Sequence, residues 1–186
     1  VCRVSKRELL QLSALSQLSQ LHLESFEVVD SKTEQRVTNA QQAAAVRVLL
    51  QHLTGLSDLR VCCFGGIAQL MGPTSALQRL QRLELWLDSS GNQPLLAVVP
   101  VSLTALVLTG SGWHSMTAAA QLSRLTNLQH LSTTFISHAA VLAGLTWLRH
   151  LRLVFPYPAE QASTSAPALL TALGRLTRLQ HLEVQH

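Results

Sequence analysis

Charge is scarce in this chain. Only 13% of its 186 residues are Asp, Glu, Lys or Arg, against roughly 25% in an average soluble domain. The ten acidic residues are scattered, so no pair of carboxylates stands out for general acid–base work. Of the 14 basic residues only Lys6 and Lys32 are lysines, and the arginines form no block despite a formal charge of +4, which argues against a nucleic-acid partner. Cysteine is equally thin. Cys2 and the vicinal pair Cys62 and Cys63 are too few and badly placed for a disulfide framework, so the expected setting is a reducing, cytoplasmic compartment. In an extended segment the vicinal pair also points to opposite faces, which suits neither a CxxC redox site nor a zinc knuckle.

Catalytic signatures are missing too. There is no GxSxG, and TGSGWHS (109 to 115) reads as a glycine turn closing a strand. FGGIAQLMGP (64 to 73) lacks the lysine and the strand-to-helix spacing of a phosphate loop. The uncharged run PLLAVVPVSLTALVLTG (94 to 110) is interrupted by Pro100 and follows the register of the repeat below, so no membrane span is expected. Nothing calls for a cofactor, a metal or a small-molecule substrate, and the chain is not expected to be an enzyme. It starts at Val1, with no initiator methionine, and reads as a fragment continuing beyond both ends.

What is abundant is leucine, 38 residues of it. The phrases RLTNLQHLST (124 to 133), GLTWLRHLRL (144 to 153) and RLTRLQHLEVQH (175 to 186) say nearly the same thing three times, and they are three of seven copies of LxxLxxLxL. The anchoring leucines are Leu21, Leu59, Leu83, Leu106, Leu131, Leu151 and Leu182. Three residues earlier stand Leu18, Leu56, Leu80, Leu103, Leu128, Leu148 and Leu179; six earlier stand Leu15, Leu53, Leu77, Pro100, Leu125, Leu145 and Leu176. Two residues after the anchors come Leu23, Val61, Leu85, Leu108, Thr133, Leu153 and Val184. A spacing of three suits a turn or helix and a spacing of two a strand, so each copy turns and then extends.

The anchors are separated by 38, 24, 23, 25, 20 and 31 residues, and the four middle values match the period of about 20 to 29 residues of leucine-rich repeats. On these columns, from about residue 9 to residue 186, the chain resembles that family in its short, intracellular form. The resemblance implies an α/β right-handed solenoid, a horseshoe of about seven repeats forming one domain over residues 1 to 186, with a parallel sheet on the concave face and short helices on the convex face. Outer helices are expected at 6–18, 40–53, 115–125, 137–145 and 166–176. One feature departs from the family. The asparagine or cysteine three residues beyond the second strand leucine is replaced by Phe26, Phe64, Asp88, Ser111, Ile136 and Pro156, so looser turns are expected, with only Asp88 and Ser111 able to substitute a hydrogen bond. Three polar stretches, 28–39, 86–94 and 155–167, follow strands and are expected at one rim.

If the leucines point inward, the alternate residues of each strand form the concave surface. Just before the anchors run Gln20, Asp58, Arg82, Ala105, His130, His150 and His181; just after run His22, Arg60, Glu84, Val107, Ser132, Arg152 and Glu183; three after run Glu24, Cys62, Trp86, Thr109, Thr134, Val154 and Gln185. Arg60 beside Glu84 and Arg152 beside Glu183 are opposite charges on neighbouring strands, expected to tie the sheet together. Trp86, beside Val107 and Thr109, is the type of side chain that anchors protein interfaces, unless its neighbours cover it. Three successive histidines could approach as metal ligands, yet no carboxylate or thiol completes a shell, and repeat duplication alone explains them; a binding affinity that changes between about pH 5 and 7 is the milder expectation.

The candidate partner-binding residues are therefore Arg60, Arg82, Glu84, Trp86, Val107, Thr109, His130, His150 and Arg152, and the expected function is a non-catalytic scaffold that holds a protein partner of unknown identity. Members associated with the cytoskeleton or the ciliary axoneme suggest a similar location. The alternative is the substrate-recognition region of an F-box type ubiquitin ligase. An extracellular receptor would carry disulfide-paired caps and glycosylation sequons, and none of Asn39, Asn92 or Asn127 is followed by the required Ser or Thr.

Overall fold

A computed structural model of the chain describes residues 2–23, 26–29, 38–63, 77–87, 99–110, 122–134, 139–154 and 166–185. Each turn of the chain begins where leucines stand three apart. In all seven copies the N–H of the leucine three before the anchor donates to the carbonyl six before it, from Leu18 to Leu15 at 2.9 Å through to Leu179 to Leu176 at 3.0 Å. Such an i to i+3 bond is the tight-turn geometry that brings side chains three apart onto one side, which is the physical meaning of LxxL. Pro100 fits this scheme because its carbonyl still accepts from Leu103 at 3.2 Å, and only its missing N–H sets it apart. Pro100 is half-buried, and the adjacent Val99 fills the interior.

After the turn the chain extends. Seven strands, β2 (Gln20–Leu23), β4 (Asp58–Cys63), β5 (Arg82–Leu87), β6 (Ala105–Gly110), β7 (His130–Thr134), β8 (His150–Val154) and β9 (His181–Gln185), form one parallel sheet in chain order. The register follows the leucine columns: Leu59 faces Leu83, Leu83 faces Leu106, Leu106 faces Leu131, and so on to Leu151 and Leu182. The ladder begins one residue before the strands. Ser57 and Asp58 N–H both donate to the Ser19 carbonyl at 2.8 and 3.0 Å, and the same two-donor carbonyl recurs at Ser57, Gln81, Thr104, Gln129 and Arg149. This main-chain device needs no particular side chain, and it ties successive repeats together at the strand entrance. The expected asparagine substitutes, Asp88 and Ser111, lie outside the described residues, as do most of the three polar stretches and residues 115–121.

The return paths differ in length and therefore in kind. In the longest interval α2 (Asn39–His52) is capped by Thr38, whose hydroxyl accepts from Gln41 N–H while the Gln41 side chain accepts from Thr38 N–H, a capping box. Its buried positions Gln42, Ala45, Val46, Leu49 and Leu50 recur at helical spacing on the side that faces the sheet. A shorter helix, α1 (Lys6–Gln11), has the equivalent box from Ser5 and Glu8; the backbone and hydroxyl of Ser5 hold the exposed Glu8 carboxyl below its ordinary pKa. It passes into a 3₁₀ turn over Leu12–Ala14, short of the expected end at residue 18. The helix expected at 137–145 is a 3₁₀ helix over Ala139–Gly144. Here the interval between anchors is only 20 residues, and a 3₁₀ helix, which rises about 2.0 Å per residue, spans the gap with fewer residues than an α-helix. The last helix, α3, covers Ala166–Leu173.

A second, two-stranded parallel sheet was not anticipated. β1 (Cys2–Ser5) pairs with β3 (Phe26–Val29), so the start of the polar stretch 28–39 is strand. Val28 enters the common interior and Val4 packs against it. Leu15, expected to be buried, is 50% exposed, and at the other end Leu182 and Val184 are 45% and 51% exposed. In the middle of the array Leu59, Leu83, Leu106 and Leu108 are fully buried. Each repeat is covered by the next, so the terminal copies of the motif bury less than the central ones. Leu106→Ala is therefore expected to destabilise the chain by about 2–5 kcal/mol and Leu182→Ala by under about 1 kcal/mol, measured by urea unfolding.

Candidate functional site

The parallel register delivers three straight columns of side chains to the concave face. Asp58, Arg60, Arg82 and Glu84 form a two-by-two block on β4 and β5, with each charge next to two of opposite sign. Arg60 Nε lies 3.6 Å from both an Asp58 and a Glu84 carboxylate oxygen, while Arg82 approaches Asp58 at 3.8 Å and Glu84 at 3.5 Å. The expected Arg60–Glu84 pair is thus one side of a closed ring, and Asp58 is the member that sequence reasoning listed in its column without assigning it a role. Its signal was present, since Asp58 occupies the position opposite Arg82. Arg152 pairs with Glu183 at 3.4 Å and donates to the Gln185 side-chain oxygen at 2.7 Å, and Gln185 donates back to Glu183 at 2.6 Å.

Between these charged groups lies a depression of about 170 Å³. Arg82, Val107, His130, His150 and Arg152, five of the nine candidate residues, line it, together with Ala105, Ser132, His181 and Glu183. Ala105 stands between Arg82 and His130 in the column, and its small side chain opens the space. The imidazoles of His130 and His150 stack with centroids 4.3 Å apart and planes 10° from parallel; His181 continues the column, tilted, at 5.9 Å. Stacked rings send their in-plane lone pairs along parallel lines, so they do not converge on a common ion. Among the described residues no group of three or more His, Cys, Asp and Glu could hold a metal. Burial comes first in pushing the His130 pKa below its ordinary value, and the neighbouring His150, Arg82 and Arg149 push it the same way.

The remaining candidates sit farther along the strands. Trp86 is 62% exposed, two residues beyond Glu84 on β5 and opposite Thr109 on β6. Thr109 is half-buried, and its hydroxyl donates to the Leu85 carbonyl at 3.4 Å, so part of its polarity is spent within the sheet. Arg60, Glu84, Trp86 and Thr109 share the face but lie outside the lining of the depression. The other described exposed tryptophan, Trp147, is covered by the Arg178 guanidinium 3.6 Å from its ring centroid; among the described residues no cation or ring covers Trp86. Beyond Trp86 the strand β6 ends at Gly110 with φ 107°, a conformation that a side chain would strain.

Two predictions test this geometry. In the folded state His130 holds a proton less readily than in the unfolded chain, so stability should rise with pH across about pH 5–7. The slope should diminish in His130→Gln, as read by urea unfolding at a series of pH values. A double-mutant cycle on Arg60 and Glu84, each changed to Ala, should return a coupling of about 0–1 kcal/mol that shrinks in high salt.

No protein-family model matches the sequence, and no curated protein does. Among solved structures, an internalin C2 (inlC2) from Listeria monocytogenes is similar over 100% of this chain and 76% of its own length, with a TM-score of 0.55 and 19% identity. An internalin (inlF) from the same organism is similar over 92% of this chain, with a TM-score of 0.53 and 18% identity. The chain spans 42% of the length of that second protein. Both are leucine-rich-repeat proteins, and together with the seven-stranded parallel sheet and its leucine columns they show that this chain has the leucine-rich-repeat fold.

Proposed function

We propose that the chain is a non-catalytic protein-interaction scaffold whose partner docks on the concave sheet, with Trp86 as its principal anchor. The observation that carries this reading is the exposure of Trp86 on a sheet face whose neighbouring fixed charges are already paired with one another. A tryptophan supplies a large apolar contact at small conformational cost, and aromatic residues dominate the energetics of protein interfaces. Its surroundings fit that role. Val107 and Thr109 extend the surface on the next strand, and the arginine–carboxylate ring gives it a polar rim.

Catalysis has little support on this face. Ser132 shares the depression with three imidazoles, and among the described residues no hydrogen bond joins its hydroxyl to any of them. Among the described residues no helix is long and apolar enough to cross a membrane. A cytoplasmic, cytoskeleton-associated setting belongs to the same proposal, carried from the sequence resemblance, and cell fractionation of the tagged protein checks it. The substrate-recognition region of a ubiquitin ligase would use the same face and would respond to the same substitutions.

Replacing Trp86 with Glu should reduce retention of proteins captured from lysate by about tenfold or more, the effect of losing one central anchor. Gln51→Glu, on the exposed side of α2, should leave retention unchanged. Equal retention by the wild-type chain and the Trp86 variant would remove the concave site.

A further inference from the structure

The fixed charges on the described concave face cancel. Arg60, Arg82 and Arg152 stand against Asp58, Glu84 and Glu183, and each arginine is within 3.8 Å of a carboxylate. Along the depression itself run the imidazoles of His130, His150 and His181, with the Arg149 charge nearby. The net charge of this floor is therefore set by protons, because histidine changes charge across the range of about pH 5–8. Two polar atoms of its lining are buried without a hydrogen-bond partner, Nδ1 of His150 and Nε of Arg82.

We infer that the His130–His150–His181 column is a docking site for an acidic segment of a protein partner, a stretch bearing Asp or Glu side chains, and that taking up protons strengthens the docking. The inference rests on the concave-face reading above and adds the chemistry of what binds there. Ala105 and Val107 give the depression an apolar floor, and Ser132 and the imidazoles give it donors, a combination that suits an extended peptide carrying one or two carboxylates. A phosphate polymer fits less well. It would be held by uncompensated arginines and lysines, and here Arg82 and Arg152, the arginines that line the depression, are engaged by carboxylates while the chain has only two lysines.

The sign of the proton linkage follows from the groups that face His130. These are Arg82 from β5, Ala105 from β6, His150 and Arg152 from β8, His181 and Glu183 from β9, and the Arg149 charge just before β8, which acts on His130 at longer range. Burial and the nearby positive groups disfavour the protonated form of His130 in the free protein. A carboxylate brought against the column offsets the nearby positive groups and accepts a hydrogen bond from the charged ring; where this attraction exceeds the added burial, the complex holds more protons than its separated parts. Affinity then rises as pH falls, down to the range where the ligand's own carboxylates protonate, near about pH 4.

The test uses the whole 186-residue chain and a fluorescent Asp-rich peptide, its Asn counterpart and a single-stranded oligonucleotide of equal charge, at one ionic strength. Anisotropy should show the Asp peptide binding about tenfold more tightly at about pH 5.5 than at about pH 7.5, with the Asn peptide weak at both. The gain should vanish in a variant carrying His130→Gln, His150→Gln and His181→Gln, and persist in His52→Gln on α2. Independently of any variant, NMR titration of the wild-type chain should show the peptide raising the His130 pKa. Equal affinity at the two pH values, or a gain that survives in the triple variant, overturns the inference. So does a larger histidine-dependent gain with the oligonucleotide, which would assign the column to nucleic acid. If Trp86→Glu abolishes capture while the peptide shows no proton linkage, the concave-face scaffold stands and this inference alone falls.

Discussion

The parallel ladder that holds each repeat in register with the next is the constraint from which everything else follows. It starts with a carbonyl that accepts two N–H groups from the following repeat, recurring from Ser19 to Arg149, and it continues along seven strands without a slip. Because the register never shifts, one position in the repeat becomes one straight column in space. The interior columns are then restricted to leucine and its near equivalents, since each side chain is packed by the copies before and after it. Thr133 shows how narrow the tolerance is. It replaces a leucine in the buried column, and its hydroxyl donates to the Thr134 carbonyl at 2.9 Å, so its polar group is not left unsatisfied.

Much of this was legible because period and geometry coincide. Spacing of three became an i to i+3 turn and spacing of two became strand, so among the described residues the columns just before and just after the anchors are the columns observed. What was not legible came from causes that a repeat pattern does not encode. Leu15 has the right position in its copy but is half exposed, since it belongs to the first turn of the array. The β1–β3 pair arises because Phe26–Val29 leaves the main sheet after β2 and finds the N-terminal strand instead; the phrase that contains it has no leucine column. The 3₁₀ helix at Ala139–Gly144 reflects the brevity of one interval, a matter of chain length more than propensity. The two-donor carbonyls at the strand entrances were not legible either, because they are made by the main chain.

The same register organises the electrostatics. A pair of opposite charges placed opposite each other on two strands would be a modest exposed ion pair. When each strand also alternates sign at i and i+2, as in Asp58–Arg60 and Arg82–Glu84, the two pairs close into a ring in which every member has two partners. Such a block contributes little net charge and leaves its arginines engaged. On the proposed reading, recognition then falls to shape and to the aromatic side chain beside the block, with Arg60 and Glu84 supporting the surroundings of Trp86.

The histidine column shows what repetition can build that a single strand cannot. One imidazole on an exposed sheet is an ordinary surface group, but three at the same repeat position are forced into adjacency by the ladder, with the first two rings 4.3 Å apart. Burial lowers the His130 pKa first, and the neighbouring His150, Arg82 and Arg149 lower it further. A surface whose permanent charges have been neutralised in pairs then keeps one adjustable quantity, the protonation of this column. Whatever docks there must either accept neutral rings or bring negative charge to stabilise charged ones. The solenoid thereby converts a duplicated phrase in the sequence into a continuous column of titratable rings.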